Sequence, residues 1–156
     1  MTWTPPAACN DLVLPCFVWD LTQDDTTIYA GVAGPGGRVV AYTRATGVIR
    51  WLQSGDGDVQ GITLSRGVVY GGGHFDLSFA GQPRAGVVAL RASDGAVMPF
   101  APQLLNGLGV FDLLPSDDYL RVGGGFELLD ATNEQRYAEF PVLPDTVPPT
   151  VPTGLK

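Results

Sequence analysis

The chain has 156 residues, a hydrophobic content of 45% and a formal net charge of −7. This length is typical of a single domain, and the negative charge argues against nucleic-acid binding, which needs a basic face. Because 21 glycines and 13 prolines leave little room for helix, we expect an all-β chain. No run of apolar residues is long enough to span a membrane.

Residues 1–17 are predicted to form an N-terminal extension, and they lack the basic and apolar regions of a signal peptide. Cys9 and Cys16 are the only cysteines, and their spacing suits a small disulfide loop. The alternative is a pair of buried thiols in a reducing compartment. With no other thiol and a single histidine, the sequence does not predict a metal site built on these cysteines.

Residues 18–142 contain short runs of β-branched and aromatic residues that are separated by turn-forming residues, as strands are. Residues 85–90 are almost continuously apolar, which predicts a strand that is buried on both faces. Pro99 marks 97–100 as an edge strand. In chain order the predicted strands are 18–21, 27–31, a strand that ends in a turn within 39–47, 59–64, 67–70, 85–90, 97–100, 110–114 and 121–126.

These strands recur in the same order as three copies of one unit, at intervals of roughly 40–50 residues. About four strands per unit predict antiparallel four-stranded sheets arranged as β-propeller blades, about three of them in an incomplete ring. The alternative is an antiparallel sandwich. Asp20 and Asp112 occupy matching places in the first strands of units one and three, where Gly61 stands in unit two. The two carboxylates either bond backbone groups of loops or line a central channel.

Two stretches carry a resemblance to known propeller families. Residues 39–51, VVAYTRATGVIRW, resemble a quinoprotein-type propeller blade, in which the tryptophan docks between blades. The central unit, with YGGGHF, GQPR and VVALRASDGAV, more closely resembles the delta-60-type repeat of large secreted, multidomain actinobacterial proteins. The matching positions are Gly72, Gly73, Phe75, Gly81, Arg84 and Asp94-Gly95, with Gly123, Gly124, Phe126 and Arg136 in the third copy.

Residues 143–156 are rich in proline and are predicted to be an extended linker. Their sequence resembles the linker and first residues that open a fibronectin type III domain. The resemblances therefore imply a bacterial extracellular or cell-surface location within a larger secreted protein. Because propellers close with about four to eight blades, the expected partners are the remaining blades of the same protein or a second copy of the chain.

His74, Asp76 and Arg84 are weak candidates for a binding site, because they follow the glycine-rich turn of the central unit. The alternative is a loop histidine and a structural arginine that pairs with an acidic side chain or with turn carbonyls. Asp56 and Asp58 are weak calcium candidates, and the alternative is an ordinary turn. No pairing of a nucleophile with a base is evident, so we expect no catalytic residue and no cofactor.

The expected function is a non-catalytic scaffold or binding module that interacts with proteins or glycans. The alternatives are a part of a quinoprotein-like enzyme and a sugar-binding propeller. Sugar binding needs exposed aromatic residues, but Trp19 and Trp51 lie in predicted strands and are expected in the core, leaving Trp3 exposed. The acidic pairs 24–25 and 117–118 are expected in hairpin turns.

Overall fold

The computed structural model describes residues 16–34, 36–133 and 136–143. Within these ranges the chain consists of β-strands and turns, with no helix, so the prediction of an all-β chain is confirmed there. In chain order the strands are β1 Phe17–Gln23, β2 Thr27–Ala33, β3 Arg38–Thr43, β4 Ile49–Ser54, β5 Asp58–Ser65, β6 Val68–His74, β7 Ser78–Phe79, β8 Gln82–Pro83, β9 Val87–Arg91, β10 Leu104–Pro115, β11 Tyr119–Leu129, β12 Thr132–Asn133 and β13 Tyr137–Pro141. In the part of the chain that the structure describes, no helix could cross a membrane.

The strands form three main sheets, and all of their pairings are antiparallel. The first sheet has the order β1-β2-β3-β4, and the second has the order β5-β6-β9. In the third sheet β11 lies between β10 and the pair β12 and β13. A small hairpin of β7 and β8 lies in the connection from β6 to β9.

The second sheet has three strands, so the prediction of four strands per sheet is wrong for this unit. Val97 makes a single bridge to Leu90, and the Met98 amide donates to the Ala89 carbonyl. Pro99 follows and has no amide hydrogen, so the ladder does not continue as a strand.

The three sheets share one irregularity of register. In each sheet the first strand carries a β-bulge, which is one extra residue in the ladder. The bulges fall between Val18 and Asp20, between Val59 and Gly61, and between Val110 and Asp112. After the bulge, the paired residues are Asp20 with Gly31, Gly61 with Gly72, and Asp112 with Gly123. The matching places predicted for residues 20, 61 and 112 are therefore confirmed.

Apolar side chains of neighbouring sheets pack against each other in two core clusters. Strand β9 contributes to both, because successive side chains point to opposite faces of a strand. Val88 and Leu90 belong to the cluster shared with the first sheet, and Val87 and Ala89 belong to the cluster shared with the third. The prediction that this run is buried on both faces is confirmed.

The same register places a glycine at the centre of each packed junction. A Cβ atom on Gly31 would lie 3.1 Å from Cγ1 of Val59 in the second sheet. A Cβ atom on Gly72 would lie 2.4 Å from Cγ1 of Val110 in the third sheet. The glycines therefore let the first strand of the next sheet approach closely. A smaller buried cluster, Ala30, Val32, Val40 and Tyr42, lies on the opposite face of the first sheet.

Candidate functional site

The three predicted binding residues lie along the connection from β6 to β9. His74 is the last residue of β6, Asp76 follows in the loop, and Arg84 comes directly after β8. Within the described ranges, no hydrogen bond or ion pair joins any two of these side chains. His74 and Asp76 are exposed, so the loop does not assemble the three residues into one group.

Arg84 holds the loop together. Its Nη1 donates to the carbonyl of Pro83 at 2.6 Å, and its Nη2 donates to the carbonyl of Met98 at 2.9 Å. The guanidinium is partly buried, and this desolvation lowers its pKa. The second bond connects the loop to the segment that follows β9. Arg84 therefore bonds backbone carbonyls, as the alternative of a structural arginine predicts.

A pocket of about 530 Å³ lies beside Arg84. Its lining includes Gln53, Gln82 and residues 97–99. The Nε atom of Arg84 is buried and has no hydrogen-bond partner among the described residues. The side-chain amide of Gln53 already donates to the carbonyl of Gly95 at 3.0 Å, so the guanidinium of Arg84 is the main donor that faces this pocket.

The two calcium candidates bind backbone amides from other segments. Oδ1 of Asp56 accepts from the amide of Ser78 at 2.9 Å, and its Oδ2 accepts from the amide of Leu77 at 3.1 Å. Oδ1 of Asp58 accepts from the amide of Gly34 at 2.9 Å. Among the described residues, no three acidic, histidine or cysteine side chains are grouped as metal ligands. Asp56 therefore holds the connection that follows β6, and Asp58 holds the connection between β2 and β3 of the first sheet.

Asp20 and Asp112 also bond backbone groups, and these lie in strands rather than in loops. Oδ1 of Asp20 accepts from the amide of Leu21 at 2.8 Å, and its Oδ2 accepts from the amide of Ile62, in the second sheet, at 2.9 Å. Oδ1 of Asp112 accepts from the amide of Leu113 at 2.9 Å. Asp20 thus links two sheets, whereas Asp112 makes only the local bond within the described ranges.

Among the described residues, the carboxylate with the most hydrogen bonds is that of Asp24, in the acidic turn before β2. Asp24 accepts from the amides of Thr26 and Thr27 and from the hydroxyl of Tyr29. Burial raises the pKa of Asp24, but these hydrogen bonds outweigh it, so the pKa is lowered overall. Burial, together with the bond to Asp24, raises the pKa of Tyr29 to about 12. The predicted turn is confirmed, since the amide of Asp24 donates to the carbonyl of Thr27.

The prediction that Trp19 belongs to the core is wrong, whereas the same prediction for Trp51 is confirmed. Trp51 is buried, and its Nε1 donates to the carbonyl of Ala92 at 2.9 Å. Trp19 is 57% exposed, as are Val18 at 56% and Leu21 at 59% on the same strand, so this side of β1 is open to solvent. Its ring lies 6.5 Å from the exposed ring of Phe17, in an edge-to-face arrangement.

Phe17, Val18 and Trp19 line a groove of about 360 Å³. Sequence reasoning missed this surface, although one signal was available. Trp19 occupies the same bulge position as Gln60 in the second sheet and Phe111 in the third. Because Gln60 is polar and core positions are rarely polar, this position was a candidate for the surface.

Parts of the predictions fall on residues outside those that the structure describes. Cys9 is one of them, so the Cys9–Cys16 disulfide stays a prediction. Cys16 is described, and its Sγ lies 3.9 Å from Nη1 of Arg38. Trp3, most of the N-terminal extension and residues 144–156 of the linker also lie outside these ranges.

Comparisons with known proteins do not identify a family for this chain. No protein-family model matches the chain, and no curated protein matches it. One similar solved structure is that of the computationally designed Ika4 protein. It is 10% identical over 81% of this chain and 91% of that chain, with a TM-score of 0.40.

Proposed function

We propose that the chain is a non-catalytic scaffold and binding module, built from β-propeller-type sheet units, in an extracellular bacterial protein. One observation carries this proposal, namely that the same junction between sheets occurs twice. In both junctions a bulged first strand packs its aliphatic side chains over a glycine of the preceding sheet. Stacking of repeated units through one kind of interface is what a propeller or another repeat scaffold requires.

The polar groups of the chain support a structural role for its loops. The carboxylates of Asp56 and Asp58 bond backbone amides of segments distant in sequence, and Arg84 bonds two carbonyls. Side chains that are used in this way hold loops in fixed positions. Loops fixed on a rigid scaffold are a common place for binding surfaces, and the proposed ligand is a protein or a glycan.

Sugar binding is a second candidate, and the exposure of Trp19 favours it. Trp19 and Phe17 present two aromatic rings beside a groove on the first strand. Aromatic rings of this kind stack on the apolar faces of sugars, and amphipathic aromatic residues are typical anchors of recognition sites.

A glycan array tests the binding surface. We expect the wild-type chain to bind a subset of glycans and the Trp19→Ala variant to lose about tenfold or more in affinity, as loss of a contact anchor does. Phe111→Ala is the matched control, because Phe111 is also exposed and occupies the same bulge position in the third sheet. Absence of any glycan ligand would leave a protein ligand as the proposal, whereas equal glycan binding by wild type and Trp19→Ala would show that the groove at Trp19 is not the binding surface.

The enzyme alternative, a part of a quinoprotein-like enzyme, is tested by a separate measurement. Incubation with a soluble quinone followed by gel filtration would reveal a bound chromophore by its absorbance. We expect no quinone absorbance to elute with the protein. Stoichiometric absorbance that elutes with the protein would overturn the non-catalytic assignment.

A further inference from the structure

One face of the first sheet is buried, although no described strand is seen to stack on it. The buried side chains are at most 6% exposed and belong to Ala30 and Val32 of β2 and to Val40 and Tyr42 of β3. In β2 they flank Gly31, which faces Val59 of the second sheet, so they point to the opposite side. Among the described strands, β2 and β3 contact mainly each other, their sheet neighbours β1 and β4, and β5 of the second sheet. None of these strands explains the burial of this face.

The buried strip is two strands wide. The register places four residues in one row across this face, and their exposed fractions are 59% for Leu21, 1% for Ala30, 0% for Val40 and 38% for Leu52. Burial is therefore confined to β2 and β3, whereas β1 and β4 on either side stay accessible. Because neighbouring strands lie about 4.8 Å apart, the covering group is about 10 Å wide, which is the width of one extended chain segment with its side chains.

A stacked sheet would give a different pattern. The second sheet covers the other face of the first sheet as far as β4, where Trp51 is 8% exposed. A further sheet unit or a second copy of the chain that stacked in the same way would also cover Leu52 on β4. The partial exposure of Leu52 therefore favours a single segment over a sheet as the covering group.

Residues 1–15 are attached at the right place to be this segment. They precede Cys16, which packs against the buried cluster. The Sγ atom of Cys16 lies 3.9 Å from Nη1 of Arg38 in β3, so the chain at residue 16 already reaches across β2. Residues 12–14 are Leu-Val-Leu, an apolar run that could contact an apolar strip. An extended segment of this length spans up to roughly 50 Å, which is far more than the strip requires.

Residues 144–156 are attached on the other side of the second sheet. The amide of Leu143, which precedes them, donates to the hydroxyl of Tyr70 at 3.0 Å. Tyr70 belongs to the core cluster between the second and third sheets. A segment that starts there would have to pass around the second and first sheets to reach the strip, so residues 1–15 are the better candidate.

We propose that residues 1–15 lie over β2 and β3 of the first sheet and cover its apolar strip within the same chain. A sheet unit could then not stack on this face as the second sheet stacks on the other, so any further unit would have to stack on the third sheet. Terminal units of repeat scaffolds need a cover of this kind, because their outer face has no neighbouring unit. The inference goes beyond the binding role proposed above and does not depend on the ligand.

Photo-cross-linking in the full chain tests which segment covers the strip. Tyr42→p-benzoylphenylalanine places the reactive group on the strip, and Leu52→p-benzoylphenylalanine is the matched control on accessible β4. Cleavage before aspartate residues releases fragments 1–10 and 11–19 apart from fragment 25–55, which carries both probes. Tandem mass spectrometry then locates the linked residue. We expect the Tyr42 probe to link to residues 1–15 of the same chain and the Leu52 probe to link to them far less.

Cross-links from the Tyr42 probe to residues 144–156, to another part of the chain or to a second copy would overturn the proposal. Equal cross-linking of residues 1–15 by the two probes would also overturn it.

Two truncated chains provide an independent measurement. We expect the chain 16–156 to bind an apolar fluorescent dye more strongly than the wild type and to unfold at a lower urea concentration, because the strip is then exposed. The chain 1–143 is the control and should behave as the wild type does in the same reducing buffer. Unchanged dye binding by the chain 16–156, or a larger change in the chain 1–143, would contradict the proposal. If the chain 16–156 does not fold, the cross-linking result decides, since it uses the full chain.

Discussion

Replacement of Gly72 by alanine should destabilise the protein, although alanine is normally the better residue in a strand. The added methyl group would lie 2.4 Å from Cγ1 and 3.0 Å from Cβ of Val110, and 3.3 Å from Cδ1 of Leu113. Val110 is fully buried and β-branched, so it has little freedom to move away. Overpacking of this kind costs about 1–3 kcal/mol, and the intrinsic gain from glycine to alanine offsets about 0.5–1 kcal/mol. The expected net loss is therefore about 1 kcal/mol, with bounds of about 0 and 2.5 kcal/mol.

Two glycines of the same register serve as matched controls. Gly123→Ala adds a methyl group that no described atom approaches within 4 Å, so stability should rise by about 0.5–1 kcal/mol. Gly31→Ala is intermediate, because the methyl group would lie 3.1 Å from Cγ1 of Val59. Its free energy of unfolding should lie between those of the other two variants. Urea denaturation measures all three, and unchanged m-values would show that the comparison is one of stability.

A double-mutant cycle locates the cause of the loss. Val110→Ala removes the atoms that the new methyl group would contact, so the cost of Gly72→Ala should fall by at least half in that background. If Gly72→Ala were as favourable as Gly123→Ala, or if Val110→Ala did not relieve it, the close packing of the second sheet on the third would be refuted.

Three further predictions concern single side chains. Trp51→Phe should cost about 1–2 kcal/mol, because the buried carbonyl of Ala92 loses its indole donor, and thermal unfolding measures this loss. Asp56→Ala should leave the amide of Ser78 without its carboxylate acceptor, so limited proteolysis should cut the chain near this loop faster than in the wild type. Asp24 has a lowered pKa when folded, so its contribution to stability is present above the unfolded pKa of about 4 and is lost as the pH falls through the folded pKa. Asp24→Asn should therefore be less stable than wild type near pH 7, and the difference should shrink in urea titrations below about pH 4; a constant difference would contradict this reasoning.

Most of the strands were predictable because the signals for them are local, but β13, Tyr137–Pro141, was not predicted. Short β-branched runs that end in glycine or aspartate turns predict strands wherever they occur. The run from Ala85 to Leu90 was also predicted to be buried on both faces, and the structure confirms this because neighbouring sheets cover its two sides. The matching places of Asp20, Gly61 and Asp112 followed from the repeat alone.

The misses come from interactions that no local pattern contains. Trp19 looks like a core residue by type, but β1 is exposed at Val18 and Leu21 as well, and whether a strand is covered depends on how the sheets are placed. Asp58 looks like a turn residue, but its carboxylate bonds the amide of Gly34 on a different connection. Such long-range bonds depend on how the sheets are placed, which composition and spacing do not contain.

The inner junctions differ from the face of the third sheet that points away from the second sheet, and this difference explains why similar units are not interchangeable. At the register of Tyr70 and Ala89, the third sheet carries Arg121 and Glu139, which are paired and exposed. An exposed ion pair contributes little to stability, but burying it against an apolar face would remove its solvation without a new partner. Burial of Arg121 and Glu139 against an apolar face is therefore less favourable than burial of Tyr70 and Ala89, although the register of the unit is the same.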